Sequence, residues 1–158
     1  MSTEDLPPAT PEELEAFDTL IESWLRVQLD ENPTVASVER DDESGERRWI
    51  VRVNGEEKSV FSVWFHLRQR TLHVETYMMP APEENLAQVY EHLLRRNLKF
   101  HGFSFAIGAE DGVFLIGQIP VQWISEAELD RLLGSTYVYV EQCFRPAMRI
   151  GFASRFQG

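Results

Sequence analysis

Leu14, Phe17, Ile21, Trp24 and Leu25 recur at helical spacing, and that pattern predicts a helix running to about Leu29. Thr10-Pro11-Glu12-Glu13 marks its start. The threonine caps the helix, proline takes the first helical position, where its missing N–H is no loss, and Glu13 reaches back to complete a capping box. Asn32-Pro33 ends it. From Thr34 to Met79 the apolar period drops to two, as strands with one buried face require. Val35 to Arg40 reads as a weak first strand. Trp49, Val51 and Val53 mark a second, Phe61, Val63, Phe65 and Leu67 a third, and Leu72, Val74 and Met78 a fourth.

The turn between the second and third strands decides which face is buried. A two-residue Asn54-Gly55 loop would align Trp49, Val51 and Val53 with Val60, Ser62 and Trp64. A three-residue loop with Gly55 in the left-handed region aligns them with Phe61, Val63 and Phe65 instead, which buries more apolar surface and is the expectation adopted. Pro80-Ala81-Pro82 breaks the sheet, and Glu83-Glu84 open a second helix with the stripe Leu86, Val89, Tyr90, Leu93 and Leu94. Phe103, Phe105 and Ile107 make a strand, Glu110-Asp111-Gly112 a turn, and Val113, Leu115 and Ile119 the next strand, ending at Pro120. Ser125-Glu126-Ala127-Glu128 signals a further capping box. Leu129, Leu132, Leu133, Tyr137, Val140, Phe144 and Met148 keep helical spacing, so one long helix to about Arg145 is expected. Against it stand the strand-favouring Tyr137-Val138-Tyr139-Val140 and Gly134, which weakens a helix by ~1 kcal/mol.

The order α-β-β-β-β-α-β-β-α, with short turns inside each strand group, describes an α+β domain: an antiparallel sheet of about six strands with helices mainly on one face. Residues 1–9 read as a disordered acidic lead, 10–153 as a single domain and 154–158 as a flexible tail. With 158 residues, 43% of them hydrophobic and 11% aromatic, the chain can build one core without staples. The single cysteine, Cys143, excludes an internal disulfide and fits a reducing compartment. No stretch nears the ~20 apolar residues that cross a bilayer, and Met1-Ser2-Thr3-Glu4-Asp5 is acidic where a signal peptide is basic, so a cytoplasmic location is expected. Lys and Arg number 15 against 26 Asp and Glu, a net charge of −11 that repels nucleic acid and anionic membrane alike. Arg47-Arg48, Arg68 with Arg70, and Arg95-Arg96 are too short to track phosphates. Neither nucleic acid nor membrane is expected as a partner.

From Met79 to Phe152 the residues resemble the YbjN family of bacterial proteins, labelled sensory transduction regulators. The resemblance lies in Pro82-x-x-Asn85-Leu86, Leu93-Leu94-x-x-Asn97, the strand Phe103-x-Phe105 with Asp111-Gly112-Val113, Gly117-Gln118-Ile119-Pro120 and Leu129-x-x-Leu132-Leu133. The ending, Phe144-Arg145-Pro146 with Arg149-Ile150-Gly151-Phe152, looks like the actinobacterial branch. The first half matches in element order only. That family is similar in fold to type III secretion chaperones, small acidic dimers that hold an unfolded stretch of a client. The resemblance therefore implies a homodimer with a protein-binding, chaperone-like or regulatory role, and it brings no catalytic residues with it.

The chain offers little chemistry. If Leu67 pairs with Leu72, His66 lies opposite His73, with Cβ atoms ~5 Å apart, near enough for two imidazoles to share a metal or sense pH. Two ligands do not make a site, and Glu75 is the nearest third candidate, so two partly solvated strand histidines are expected and no metal. Cys143 sits beside the apolar stripe of Val140 and Phe144, as a buried, inert thiol would. Glycine spacing matches no nucleotide cradle, no GxSxG elbow is present, and Asp111-Gly112 lacks the ligand spacing of a calcium loop. No cofactor and no enzyme activity are expected.

The sheet's second face says more. With the core face assigned as above, Ile50, Val60, Trp64, Tyr77, Phe114 and Ile116 point the other way, where a solvated face would be polar. A partner, a second subunit or one of the chain's own helices would cover them. If a partner does, Trp64 and Tyr77 are its anchors. Two functional readings remain open: a module that holds a client segment on this apolar surface, and a ligand binder or enzyme with a pocket between sheet and helices that includes His66 and His73. The direction in which the histidine pair points separates them.

Overall fold

The computed structural model describes residues 6–41, 43 and 45–156. Helix α1 spans Pro11–Glu31 and is followed by β1 (Val35–Asp41), β2 (Arg47–Asn54), β3 (Val60–Leu67) and β4 (Thr71–Met79). Helix α2 (Leu86–Asn97) leads into β5 (Phe103–Ile107) and β6 (Val113–Pro120), and α3 (Glu126–Gly151) closes the domain. All six strands pair antiparallel in the order β1-β2-β3-β4-β6-β5. The β5–β6 hairpin is thus joined to the meander through β6, and α2 provides the crossover. This is the α+β sheet with helices on one face that the periodicities predict.

The alternation of burial shows why. Trp49, Val51 and Val53 stand opposite Phe65, Val63 and Phe61, and all six are buried. Leu72, Val74, Leu115 and Ile119 extend the same layer across β4 and β6. Ile21, Trp24 and Leu25 of α1, Val89 and Leu93 of α2, and Leu129, Leu132, Val140 and Cys143 of α3 pack onto it. Each fully buried aliphatic or aromatic side chain contributes about 1.5–3 kcal/mol. Helix α1 therefore lies over the β1 end, α2 over the β5 end, and α3 across β4 and β6 between them.

Four local expectations give way to tertiary contacts. The β2–β3 loop is Gly55–Ser59, five residues, and Gly55 is not left-handed. Three and five are both odd, so the same side chains face the core. Gly55 is needed for a different reason: a Cβ there would lie 1.8 Å from Glu141 Oε1. That carboxylate accepts the N–H groups of Glu56 (2.8 Å) and Glu57 (2.6 Å), so α3 holds the wide loop open. Helix α2 starts at Leu86 rather than at Glu83-Glu84, because the N–H groups of Glu83 and Glu84 both donate to the Gly151 carbonyl at 3.0 Å. Asn85 takes the left-handed conformation (φ 54°) that asparagine tolerates, and its amide donates to the Ile150 carbonyl at 2.9 Å. Ser125 caps α3, but the Glu128 carboxylate turns to Arg131 instead of closing a capping box. Helix α3 runs past Arg145 to Gly151 with Pro146 inside it, since Ala147 and Gly151 are buried, the latter against Pro82, Val89 and Met79. Ile150 and Gly151 of the YbjN-like ending are thus parts of one clasp between α2's entry and α3's end.

At the termini, residues 1–5 of the expected disordered lead lie outside the described residues. Residues 6–9 do not run free: Ala9 is buried and donates to the Gln69 carbonyl at 2.8 Å, while the Pro7 carbonyl accepts from Gln122 at 3.0 Å. Of the expected flexible tail, residues 154–156 form a short turn in which Ser154 N donates to Glu84 at 2.8 Å, and residues 157–158 lie outside the described residues.

Candidate protein-binding surfaces

The face of the sheet away from the helices carries every side chain that the alternation sends there. Ile50, Trp64, Glu75 and Ile116 form one row across β2, β3, β4 and β6, and Tyr77 and Phe114 pair in the next. Among the described residues no helix crosses this face. Val60 is 48% and Tyr77 44% exposed, while Ile50, Trp64, Phe114 and Ile116 are half-buried. The rings are held in place: Tyr77 meets Phe114 edge to face with centroids 5.4 Å apart, and the Arg48 guanidinium lies 5.5 Å over Trp64. An open groove of about 330 Å³ runs between Arg52, Lys58, Val60, Trp64, Tyr77 and Phe114.

His66 and His73 do stand opposite each other, on this open face and not in a cavity between sheet and helices. Each turns to its own carboxylate. His66 Nε2 lies 3.3 Å from Glu46 and His73 Nε2 3.5 Å from Glu75, while His66 Nδ1 accepts from Arg68 at 3.3 Å. Burial, then the Arg68 charge, pushes the His66 pKa down, so its imidazole is the less ready to protonate. Among the described residues no group of three or more His, Cys, Asp or Glu could hold a metal ion. Cys143 is fully buried, and burial pushes its thiol pKa up, away from nucleophilic use.

A second apolar surface escapes the single-stripe reading of α2. Val89 and Leu93 are buried, but Leu94 is 64% and Leu98 89% exposed, with Leu86 and, on β5, Ile107 also open. A groove of about 310 Å³ lies between Tyr90, Leu93, Leu94, Phe105, Ile107 and Val113. The signal is in the sequence: Leu86, Tyr90, Leu94 and Leu98 recur at every fourth residue, a row beside the Val89–Leu93 row, and one helix cannot bury both against one sheet. Beneath it, Asn97 Oδ1 accepts the Phe105 N–H at 2.8 Å, so a side chain occupies that edge position of β5.

The family model of YbjN, described as "Putative bacterial sensory transduction regulator", matches residues 18–147. The chain belongs to the YbjN family. A Mycobacterium tuberculosis relative, itself uncharacterized, is 30% identical over 108 residues, which is 68% of this chain and 59% of the relative. A Mycobacterium leprae relative, also uncharacterized, is 28% identical over 110 residues, 70% of this chain and 60% of the relative. The chain thus spans about 60% of the length of the curated relatives it matches. Among solved structures, the Yersinia pestis type III secretion chaperone SycH, in complex with a fragment of YscM2, superposes with a TM-score of 0.52 at 17% identity over 80% of this chain and 98% of that one. A chain of the ExsC–ExsE complex gives 0.56 at 17% identity over 83% and 92%. This YbjN protein has a fold similar to that of type III secretion chaperones. Among its described residues no helix is long and apolar enough to cross a membrane.

Proposed function

We propose that this YbjN protein is a non-enzymatic protein-binding module that holds a client segment on the outer face of its sheet and acts as a homodimer in the cytoplasm. One observation supports the client site above all: the outer face carries an ordered apolar and aromatic cluster, with Val60 48% and Tyr77 44% exposed, that no helix among the described residues covers. Trp64 and Tyr77 are its anchors, since large amphipathic rings gain most on desolvation, and Ile50, Val60, Phe114 and Ile116 complete the surface. The fold likeness to chaperones solved with bound partners favours the same reading. Two copies associate through the α2–β5 surface, where Arg95 and Arg96 outnumber Glu91 and so soften the mutual repulsion of two chains of charge −11.

The test is a paired purification of the tagged wild type and Trp64→Ala from the native lysate under mild conditions, with mass spectrometry and light scattering on each eluate. We expect a stoichiometric partner on a wild-type dimer and its loss, by at least about tenfold, from a Trp64→Ala protein of unchanged melting behaviour. Equal recovery of the same proteins by both forms would remove Trp64, and with it this face, from the proposal.

A further inference from the structure

Lys58 bears on what kind of segment the outer face takes. It is one of two lysines in a chain with 26 Asp and Glu, yet among the described residues no carboxylate pairs with it. Its Nζ donates to the Met78 carbonyl at 2.6 Å and lies 5.3 Å from the Tyr77 ring and 4.9 Å from that of Phe144. Two of the nearby acids are committed elsewhere. Glu141 holds the N–H groups of Glu56 and Glu57, and the Glu57 carboxylate pairs with Arg145 at 2.7 Å. Burial lowers the Lys58 pKa, the mark of an ammonium from which water has been withdrawn and to which no anion has been supplied. Arg52, across the same groove, is exposed and likewise has no ion pair among the described residues. Elsewhere the arginines do find acids: Arg40, Arg47, Arg48, Arg131 and Arg145 each hold at least one.

Two cations without an ion pair among the described residues therefore flank the aromatic groove, and the acid among its described lining residues, Glu75, lies 3.5 Å from His73. The arrangement is built into the fold. The Gly55–Ser59 loop is held to α3 through Glu141, so the ammonium is positioned before any ligand arrives.

We propose that this groove takes an acidic-apolar segment of a partner protein, with an aromatic or aliphatic side chain between Trp64, Tyr77 and Phe114 and an adjacent Asp or Glu carboxylate on Lys58 and Arg52. The proposal rests on the client-binding reading above and adds the client's chemistry to it. A half-desolvated cation gains most from an anion delivered with the apolar group that expels the remaining water. A basic segment, which the overall charge of −11 would attract from a distance, would meet like charge here. Discrimination at the groove thus runs opposite to the long-range field.

To test it, a displayed library of random peptides is panned against the immobilised full chain, as wild type and as Lys58→Met, Arg52→Gln and Trp64→Ala, each first shown to unfold cooperatively. We expect the wild type to enrich sequences with Asp or Glu beside Phe, Trp or Leu. A synthetic peptide from that set should bind Lys58→Met at least about tenfold more weakly, and its counterpart with lysine at the acidic positions should lose as much on the wild type. Enrichment without acidic residues, or equal affinity for the lysine counterpart, overturns the proposal. If Trp64→Ala still abolishes that binding, the client site stands and only its chemistry falls. Failure of the wild type to enrich any sequence, or undiminished binding by Trp64→Ala, sinks both. Should Lys58→Met not fold, Arg52→Gln and the charge-swapped peptide decide the question without it.

Discussion

Helices α1 and α2 cover the two ends of the same sheet face, and they finish their packing in opposite ways. Helix α1 is tied down by charge. Arg40 grips Asp18 with both terminal guanidinium nitrogens, at 2.7 and 2.8 Å, and also reaches Glu22 at 3.0 Å. Arg47 also donates to Asp18, at the Oδ2 that Arg40 shares, and Trp49 Nε1 donates to Glu22 at 2.8 Å. Asp18 is 5% exposed, so the centre of this network is dry while its arginines stay partly wet. Among the described residues helix α2 has no ion pair to the sheet, and its polar link to β5 is the Asn97 side chain that accepts the Phe105 N–H. It turns Val89 and Leu93 inward and leaves Leu94 and Leu98 in water. A helix whose charged groups are matched by the sheet is complete within one chain. One that leaves a second apolar row outside offers it to something else.

The largest effect should come from Asp18→Asn. It leaves two guanidinium groups at a buried site without their shared carboxylate, and removing one partner of a buried pair typically costs about 3–5 kcal/mol. The partial exposure of Arg40 and Arg47 places this case at the lower end, near 3 kcal/mol, to be read from denaturant midpoints at neutral pH. The pH dependence follows from the same contacts. Burial pushes the Asp18 carboxyl up, but the hydrogen bonds and charges of Arg40 and Arg47 outweigh it and hold the folded pKa below the ordinary 3.8. The unfolded chain then takes up this proton first as pH falls. The stabilisation is complete above pH ~4 and lost as pH drops through the folded value, so the gap between wild type and Asp18→Asn should close in acid. A gap that stayed constant to low pH would show that packing, and not the charge network, holds α1.

Gly55→Ala probes the sheet's far corner and should cost less, about 1–3 kcal/mol. The added Cβ would meet Glu141 Oε1 at 1.8 Å and the backbone carbonyl of Lys58 at 2.4 Å, so either the carboxylate leaves the loop N–H groups or the loop shifts. Adding Glu141→Ala should recover part of the loss by freeing the space. If the double variant is no better than Gly55→Ala alone, the constraint lies in the loop backbone.

How much was legible beforehand differs between the two ends. Thr10 and Glu13 announce α1's start in the sequence and form the capping box, because a cap depends only on residues a turn apart. The core face was legible for a similar reason: a period of two fixes which side chains travel together, and the Trp49–Phe65 register survives an error in loop length as long as parity holds. The Asp18–Arg40–Arg47 knot was not. Its members lie 22 and 29 positions apart, and an acid on a helix and arginines on strands read as solvated faces until the fold brings them together. Lys58 was hidden likewise, since between Glu56-Glu57 and Val60 it looks like an ordinary turn residue. The outer-face set Ile50, Val60, Trp64, Tyr77, Phe114 and Ile116 could be read from alternation alone, but whether a helix crossed over it could not.

The smallest expected effect on stability is the sharpest test of the comparison between the helices. Leu94→Asn with Leu98→Asn changes two side chains that touch little of the core, being 64% and 89% exposed. The cost is limited to helix propensity for Leu94, a few tenths of a kcal/mol, with Leu98 lying just past the last helical residue. The double variant should therefore melt within a few degrees of the wild type. Its hydrodynamic size should change: sedimentation velocity over a dilution series should show a concentration-dependent dimer for the wild type and a monomer for the variant. If both sediment as the same dimer, the exposed row of α2 is not where copies meet, and β1 becomes the end to examine. If both are monomers, two copies do not need this surface at all, and Leu94 and Leu98 join Trp64 as candidate contacts for a different chain.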